Sequence, residues 1–567
     1  VSLTGSANTT FDANVTSGGG VWTVSSSGST TVNGAITGSG ALTKTGSGTL
    51  TFAAPNANFS GAVTLSAQGS GANAGLIVAS ASNALGTGAV GLTFNTTGGI
   101  PTKVQLQLSG GITLGNAFTT TGAGSNGTSS GLIRTLTGAN TLTGGLTMQS
   151  GGGSTTLRAD TGSSLVLNGA VTANATGRYL TLVGGGDFTF GSAGSINNTS
   201  TTGTVGFWSQ NSGSTTISSA ANTYTLGTEI GNGNILTVAA LADGLANSSI
   251  GAAAVTATNL VLDNGTLRFA GSTAQSTNRL FSVGTGGATL DASGTGSGTM
   301  SFTGTGSLGF IGTTPEGGTA STSTAARTLV LTGTNAGDNT FTPVIANNTG
   351  ATSLTKSGTG TWVLNGSNTY TGGTTLTLGT LRAGNASAFG SGALNLNGGS
   401  LTSDGATARA FANNVTVGGN ITLGATTTNT GVLTFNGTVG LGAAVRTLTV
   451  DSDVTLAGIV SDGGLTKAGN GVLTLSGNNS FSSGTTISAG TVRAGNNNAF
   501  GSLATDALAL NAGTLTSDGS TARAFANNVT VGGNITLGAT TTNTGVLTFN
   551  GTVGLGAAVR TLTVDSD

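Results

Sequence analysis

The 567 residues contain no cysteine and no histidine. Without cysteine there is neither a disulfide framework nor thiol chemistry. Without histidine the usual general base, the Ser-His triad and most zinc sites are excluded together. Charged residues make up only 6% of the chain and the net charge is −1. That leaves no basic footprint to neutralise a phosphate backbone, so nucleic-acid binding is not expected. Proline occurs four times and aromatics make up 5%. No apolar run approaches the roughly 20 residues that a membrane-spanning helix needs, so no transmembrane helix is expected.

What fills the chain instead is glycine, 103 residues of it, among Thr, Ser, Ala and Asn. Short alternating runs such as NVTVGGNITLG from Asn414 and VRTLTV from Val445 carry the period-two signal of half-buried strands. Asn-Gly, Gly-Gly and Asp-Gly pairs cut these runs every few residues and favour turns over helices. Disordered chains combine low hydrophobicity with high net charge, whereas this one is 36% hydrophobic and nearly neutral. The expected fold class is therefore all-β.

The chain repeats itself. Residues 401–453 and 515–567 are the same sequence apart from Ala406 against Ser520. The match extends upstream, where LTKSGTGTWVLNGSNTYTGGTT from Leu354 is answered by LTKAGNGVLTLSGNNSFSSGTT from Leu465. Weaker echoes begin at Leu42, Leu76, Leu136 and Ala221. The organisation expected from this is diverged coils over 1–352, a first clear copy over 353–464 and a second, truncated copy over 465–567. The later copy gains residues between Phe500 and Leu508, and an insertion between near-identical copies belongs in a protruding loop.

Within one copy Leu381, Leu401 and Ile421 recur at about 20 residues, in the range of solenoid repeats. This spacing predicts a parallel β-helix, an elongated single rod of about 20-residue coils and about 28 coils in all, with Val, Leu, Ile and Phe stacked inward. A threonine ladder able to order water would need the same outward pair on every coil, and the irregular spacing argues against one.

The string L-T-K-x-G-x-G, then L-x-G-x-N-x-[YF]-[TS]-x-G-T-T and G-T-[LV]-R-A-G-N, spans 354–385 and 465–496 and is worn over 42–65. It resembles the passenger-associated transport repeat of bacterial autotransporters. The resemblance implies a right-handed parallel β-helix at the bacterial outer surface, delivered through an outer-membrane translocator. A start at Val1 with no charged-then-apolar leader fits a chain whose signal peptide has been removed, and the continuation of the earlier copy beyond Asp453 suggests a natural protein that runs on past Asp567.

Candidate chemistry is thin. The densest acidic group is Asp451, Asp453 and Asp462, a weak calcium candidate set against the ordinary capping of turns by Asp. Phe59, Leu142, Tyr224, Tyr370 and Phe481 occupy one motif position that accepts any large hydrophobe, which marks it as a core-stacking position rather than a sugar platform. No catalytic residue, cofactor or metal site is expected beyond these.

The function expected is a secreted, non-catalytic structural solenoid forming a cell-surface stalk or extracellular fibre. The alternatives are an adhesin binding surfaces, glycans or other cells, and a polysaccharide-active β-helix enzyme. Open solenoid ends also raise head-to-tail self-association into filaments as an expectation.

Overall fold

The computed structural model describes residues 1–66, 75–93, 104–121, 131–150, 153–199, 203–312 and 324–565. Among them there is no α-helix, only short strands and one 3₁₀ turn at Ala257–Asn259. Parallel neighbours come from successive coils throughout, as at Leu42 with Val63, Val63 with Val90 and Leu354 with Thr374. The fold is a parallel β-solenoid of about 22 turns. That is fewer than a uniform 20-residue coil would give, because the coils vary. Val445 pairs with Gly464, 19 residues on, whereas Thr228 pairs with Leu260, 32 residues on.

The chain forms two compact units. The first comprises Val1–Gly271, Gln275–Thr289 and Gly309–Ala320, and the second Ser272–Ala274, Leu290–Leu308 and Ser321–Asp567.

Coils of the first unit are three-sided. One face stacks Trp22–Val24, Leu42–Lys44, Val63–Ser66, Val90–Thr93, Phe118–Thr121, Leu146–Met148 and Val171–Ala173. Its inward residues Val24, Leu42, Leu65, Leu92 and Val171 are fully buried. Its outward residues run in register as Thr23, Thr43, Thr64, Gly91, Thr119, Thr147, Thr172 and Asn197. A threonine row thus exists despite uneven spacing. The extra residues of the longer coils fall between strands, as between Val238 and Leu260, and leave the ladder from Thr228 to Leu260 aligned.

In the second unit the first face carries Thr352–Lys356, Thr374–Leu376, Leu394–Leu396, Val415–Val417, Val439–Gly440 and Val460–Ser461. The second face carries Thr361–Leu364, Thr380–Ala383, Ser400–Ser403, Ile421–Leu423, Val445–Val450 and Gly464–Ala468. The third carries Arg409–Phe411, Leu433–Phe435, Val454–Leu456, Val472–Leu475 and Thr491–Ala494.

The copied blocks show what creates the core. Leu448 and Val450 are 1% and 0% exposed beneath the next coil, while the identical Leu562 and Val564 are 39% and 64% exposed. Sequence supplies the apolar side chain, and a stacked neighbour supplies the burial, about 2 kcal/mol for a leucine.

Candidate functional site

The sites with unusual chemistry lie inside the motif. In L-T-K the lysine shares the inward parity of the leucine two residues before it, because alternate side chains of a strand point to one face. Lys44, Lys356 and Lys467 are accordingly fully buried. Lys356 Nζ donates to the carbonyls of Ser357 at 2.7 Å and Gly358 at 2.8 Å in its own turn, and to Leu378 of the next coil at 2.9 Å. Lys467 repeats this with Ala468, Gly469 and Ala489 at 3.0, 2.8 and 3.1 Å. Lys44 donates to Gly46.

Three carbonyls match the three N–H donors of an ammonium group. Burial works against the charge and lowers each of these lysines from 10.5 to about 8. The cage also explains one glycine: Gly379 has a φ of +71° and a Cβ there would stand 2.7 Å from Lys356 Nζ.

The asparagine of N-x-[YF] ties three successive coils. Asn368 accepts from Ile345 N–H at 2.8 Å and donates to Ala388 O at 2.8 Å. Asn479 does the same with Val460 and Ala499 at 2.8 and 2.9 Å, and Asn222 with Ile196 and Ser248 at 2.8 and 3.1 Å. Asn56, three residues before Phe59, accepts from Ile36 N–H at 2.6 Å and donates to Ala84 O. Asn140 accepts from Ile112 N–H at 3.0 Å. All five are buried.

The structure places Phe59, Leu142, Tyr224, Tyr370 and Phe481 in the interior, none more than 3% exposed. A Cβ on Gly86, Gly251 or Gly390 of the following coil would come within 2.7, 2.6 and 3.0 Å of the Phe59, Tyr224 and Tyr370 rings. The phenols are satisfied by threonine: Tyr224 shares a hydrogen bond with Thr228 Oγ1 at 2.7 Å and Tyr370 one with Thr374 Oγ1. Thr374 passes its own proton to Phe389 O at 3.2 Å in the next corner. Burial holds both phenols above their ordinary range.

The acidic candidates are not brought together. Asp451 follows the second-face strand and donates its N–H to Leu423 O. Asp462 sits at the turn between the first and second faces with a φ of +62°. Among the described residues there is no group of three metal-ligating side chains.

A buried acid, Glu229, lies outside the motif, as do Asp291 and Asp506. Glu229 is 6% exposed and accepts from Gln210 Nε2 at 2.8 Å. Burial, reinforced by Asp263, lifts its carboxyl from 4.5 to about 7. The folded protein therefore binds more protons than the unfolded chain between these values, and stability falls as pH rises through that window. Glu229→Gln should leave stability at pH 4 nearly unchanged and raise it at pH 8, by up to about 3 kcal/mol. Amide exchange of 205–231 at both pH values measures this, and equal protection changes at pH 4 and pH 8 would refute it.

The motif carries the comparison with known proteins. The passenger-associated-transport-repeat family model matches residues 42–69, 354–383 and 465–494, which hold all three buried lysines. The chain is 32% identical over 420 residues, 66% of its length, to the adhesin BmaC autotransporter of Brucella suis biovar 1 (strain 1330). Together these findings support an autotransporter passenger with passenger-associated transport repeats. The relative and the repeats indicate an extracellular, cell-surface protein. The alignment spans 12% of that relative's length. No solved structure matches the chain.

Sequence reasoning identified the motif aromatics and passed over its Lys and Asn. The signal for lysine was strand parity, Leu354 in, Thr355 out, Lys356 in. For asparagine it was the fixed place two residues before the buried ring.

Proposed function

We propose that this chain is a non-catalytic scaffold segment of a cell-surface adhesin, delivered by an outer-membrane translocator. The observation that carries the reading is the set of polar ties in each motif copy, which lock consecutive coils without disulfide or metal. Such locking suits a segment that holds a binding surface rigidly away from the cell. The naming of the Brucella relative as an adhesin supports the adhesive setting.

The contact face we favour is the uncharged hydroxyl row from Thr23 to Thr172, flanked by Ser66, Thr93 and Thr121 on the same strands. Such a strip offers hydrogen bonds and methyl contacts to neutral polysaccharide at one coil spacing, about 4.8 Å. The test displays the chain on a non-adherent reporter cell and measures attachment to neutral glycan surfaces. Attachment should fall at least tenfold in Thr64→Lys/Thr119→Lys/Thr147→Lys, whereas Thr375→Lys/Thr416→Lys in the second unit should retain it. Equal loss in both variants, or no attachment by the parent, would sink the adhesive reading of this row.

A further inference from the structure

Two copies of one sequence in a solenoid could sit directly above one another. They do not. The L-T-K strand of the first copy, Thr352–Lys356, stacks on the first face of the second unit, in the ladder that continues through Thr374, Leu394, Val415 and Val439 to Val460. Its counterpart Gly464–Ala468 stacks on the second face, against Val445–Val450. The same step applies to every later element. Thr361–Leu364 and Thr380–Ala383 lie on the second face, while Val472–Leu475 and Thr491–Ala494 lie on the third. Arg409–Phe411 opens the third-face ladder, while Arg523–Phe525 pairs with Leu547–Phe549 outside it.

The cause is local. From Leu354 the chain completes five coils on reaching Val460, and the next copy begins only after that extra first-face strand. The two-residue strand Val460–Ser461 and the left-handed pair Asp462 and Gly463, with φ of +62° and +49°, carry the chain round one more corner. Aspartate tolerates this region better than most side chains, and glycine enters it freely.

We infer that the repeat is a screw element: each copy advances the solenoid by five coils and turns it by one face of three. Copied outward residues therefore point in different directions, Thr375 from the first face and Thr486 from the second, Arg382 from the second and Arg493 from the third. A surface encoded by the repeat is displayed around the axis, and three copies bring it back to its starting side. Gain or loss of one copy swings everything beyond it by roughly a third of a turn. The inference rests on strand register alone and stands whether or not the segment is adhesive.

The absence of native cysteine makes the test direct. In the full chain, Thr447→Cys/Thr466→Cys and Thr455→Cys/Thr474→Cys place thiols on laddered neighbours, close enough for a disulfide. If the copies stacked without rotation, Thr466 would lie beside Gly440 and Thr474 beside Asp451. Gly440→Cys/Thr466→Cys and Asp451→Cys/Thr474→Cys report that arrangement. Oxidation should cross-link the first two pairs at least tenfold more completely than the second two, read by mass spectrometry of the linked peptides. Preferential linking of the second two pairs would overturn the inference, and so would equal linking of all four. Comparable residue-level amide exchange of the four reduced variants establishes that each is folded.

Discussion

Asn368→Leu should raise the exchange rate of the Ile345 amide by more than a hundredfold while leaving coils of the first unit untouched. The side chain that replaces asparagine is close in size, so the interior stays filled. What changes is that Ile345 N–H and Ala388 C=O lose their partner together. Each orphaned buried group costs about 1–3 kcal/mol, and a total of about 3 kcal/mol corresponds to somewhat more than two decades in an opening equilibrium. Long arrays do not unfold as a single two-state system. Residue-level exchange is therefore the informative readout, and a global melting temperature is not. A change below tenfold at Ile345 would mean that water enters and replaces the amide without loss. The equivalent Asn479→Leu, read at Val460, provides an internal replicate in the same chain.

Lys356→Met should loosen the turns at Ser357–Gly358 and at Leu378 by about 3 kcal/mol or more, since three carbonyls lose a shared donor. The pH dependence separates this from simple packing damage. The lysine is held near 8 in the fold against 10.5 when unperturbed. Between these values the unfolded chain binds more protons, so this site adds stability as pH rises from 8 towards 10.5. Below pH 8 the cost of the buried charge is present in full. Lys356→Met should flatten that part of the profile for its own coil while Lys467 continues to report it for the next copy. An unchanged slope at 352–379 in the variant would show that the ammonium group is not the titrating species.

The fold was largely legible because its causes are local and repetitive. Alternation marked the strands, glycine-containing pairs marked the corners, and the copied blocks announced stacking. The variable coil length was less legible, since the added residues lie outside the ladders and leave the strand pattern unchanged. The one-face step was invisible for a related reason: Val460–Ser461 is a two-residue strand, too short for a periodic signal. At the motif, the aromatic position was readable from the size of its occupants. Lys356 and Asn368 were not, because polarity alone suggests a solvated surface. Their burial follows from parity and from carbonyl groups contributed by a coil some 20 residues away, which composition does not display.

The ties of Asn368 and Lys356 run along the solenoid axis, the direction in which a tethered surface protein is loaded when its far end is held. Pulled from its ends, such a chain gives way by peeling, one coil at a time, and each released coil of about 20 residues pays out roughly 70 Å of slack. Axial ties of this kind also lie outside the motif copies, as from Asn413 to Gly390 O and Gly392 O and from Asn527 to Phe500 O, so tied coils recur along the chain. Each tied coil is then a step that resists peeling and a foothold on which the peeled chain can wind back.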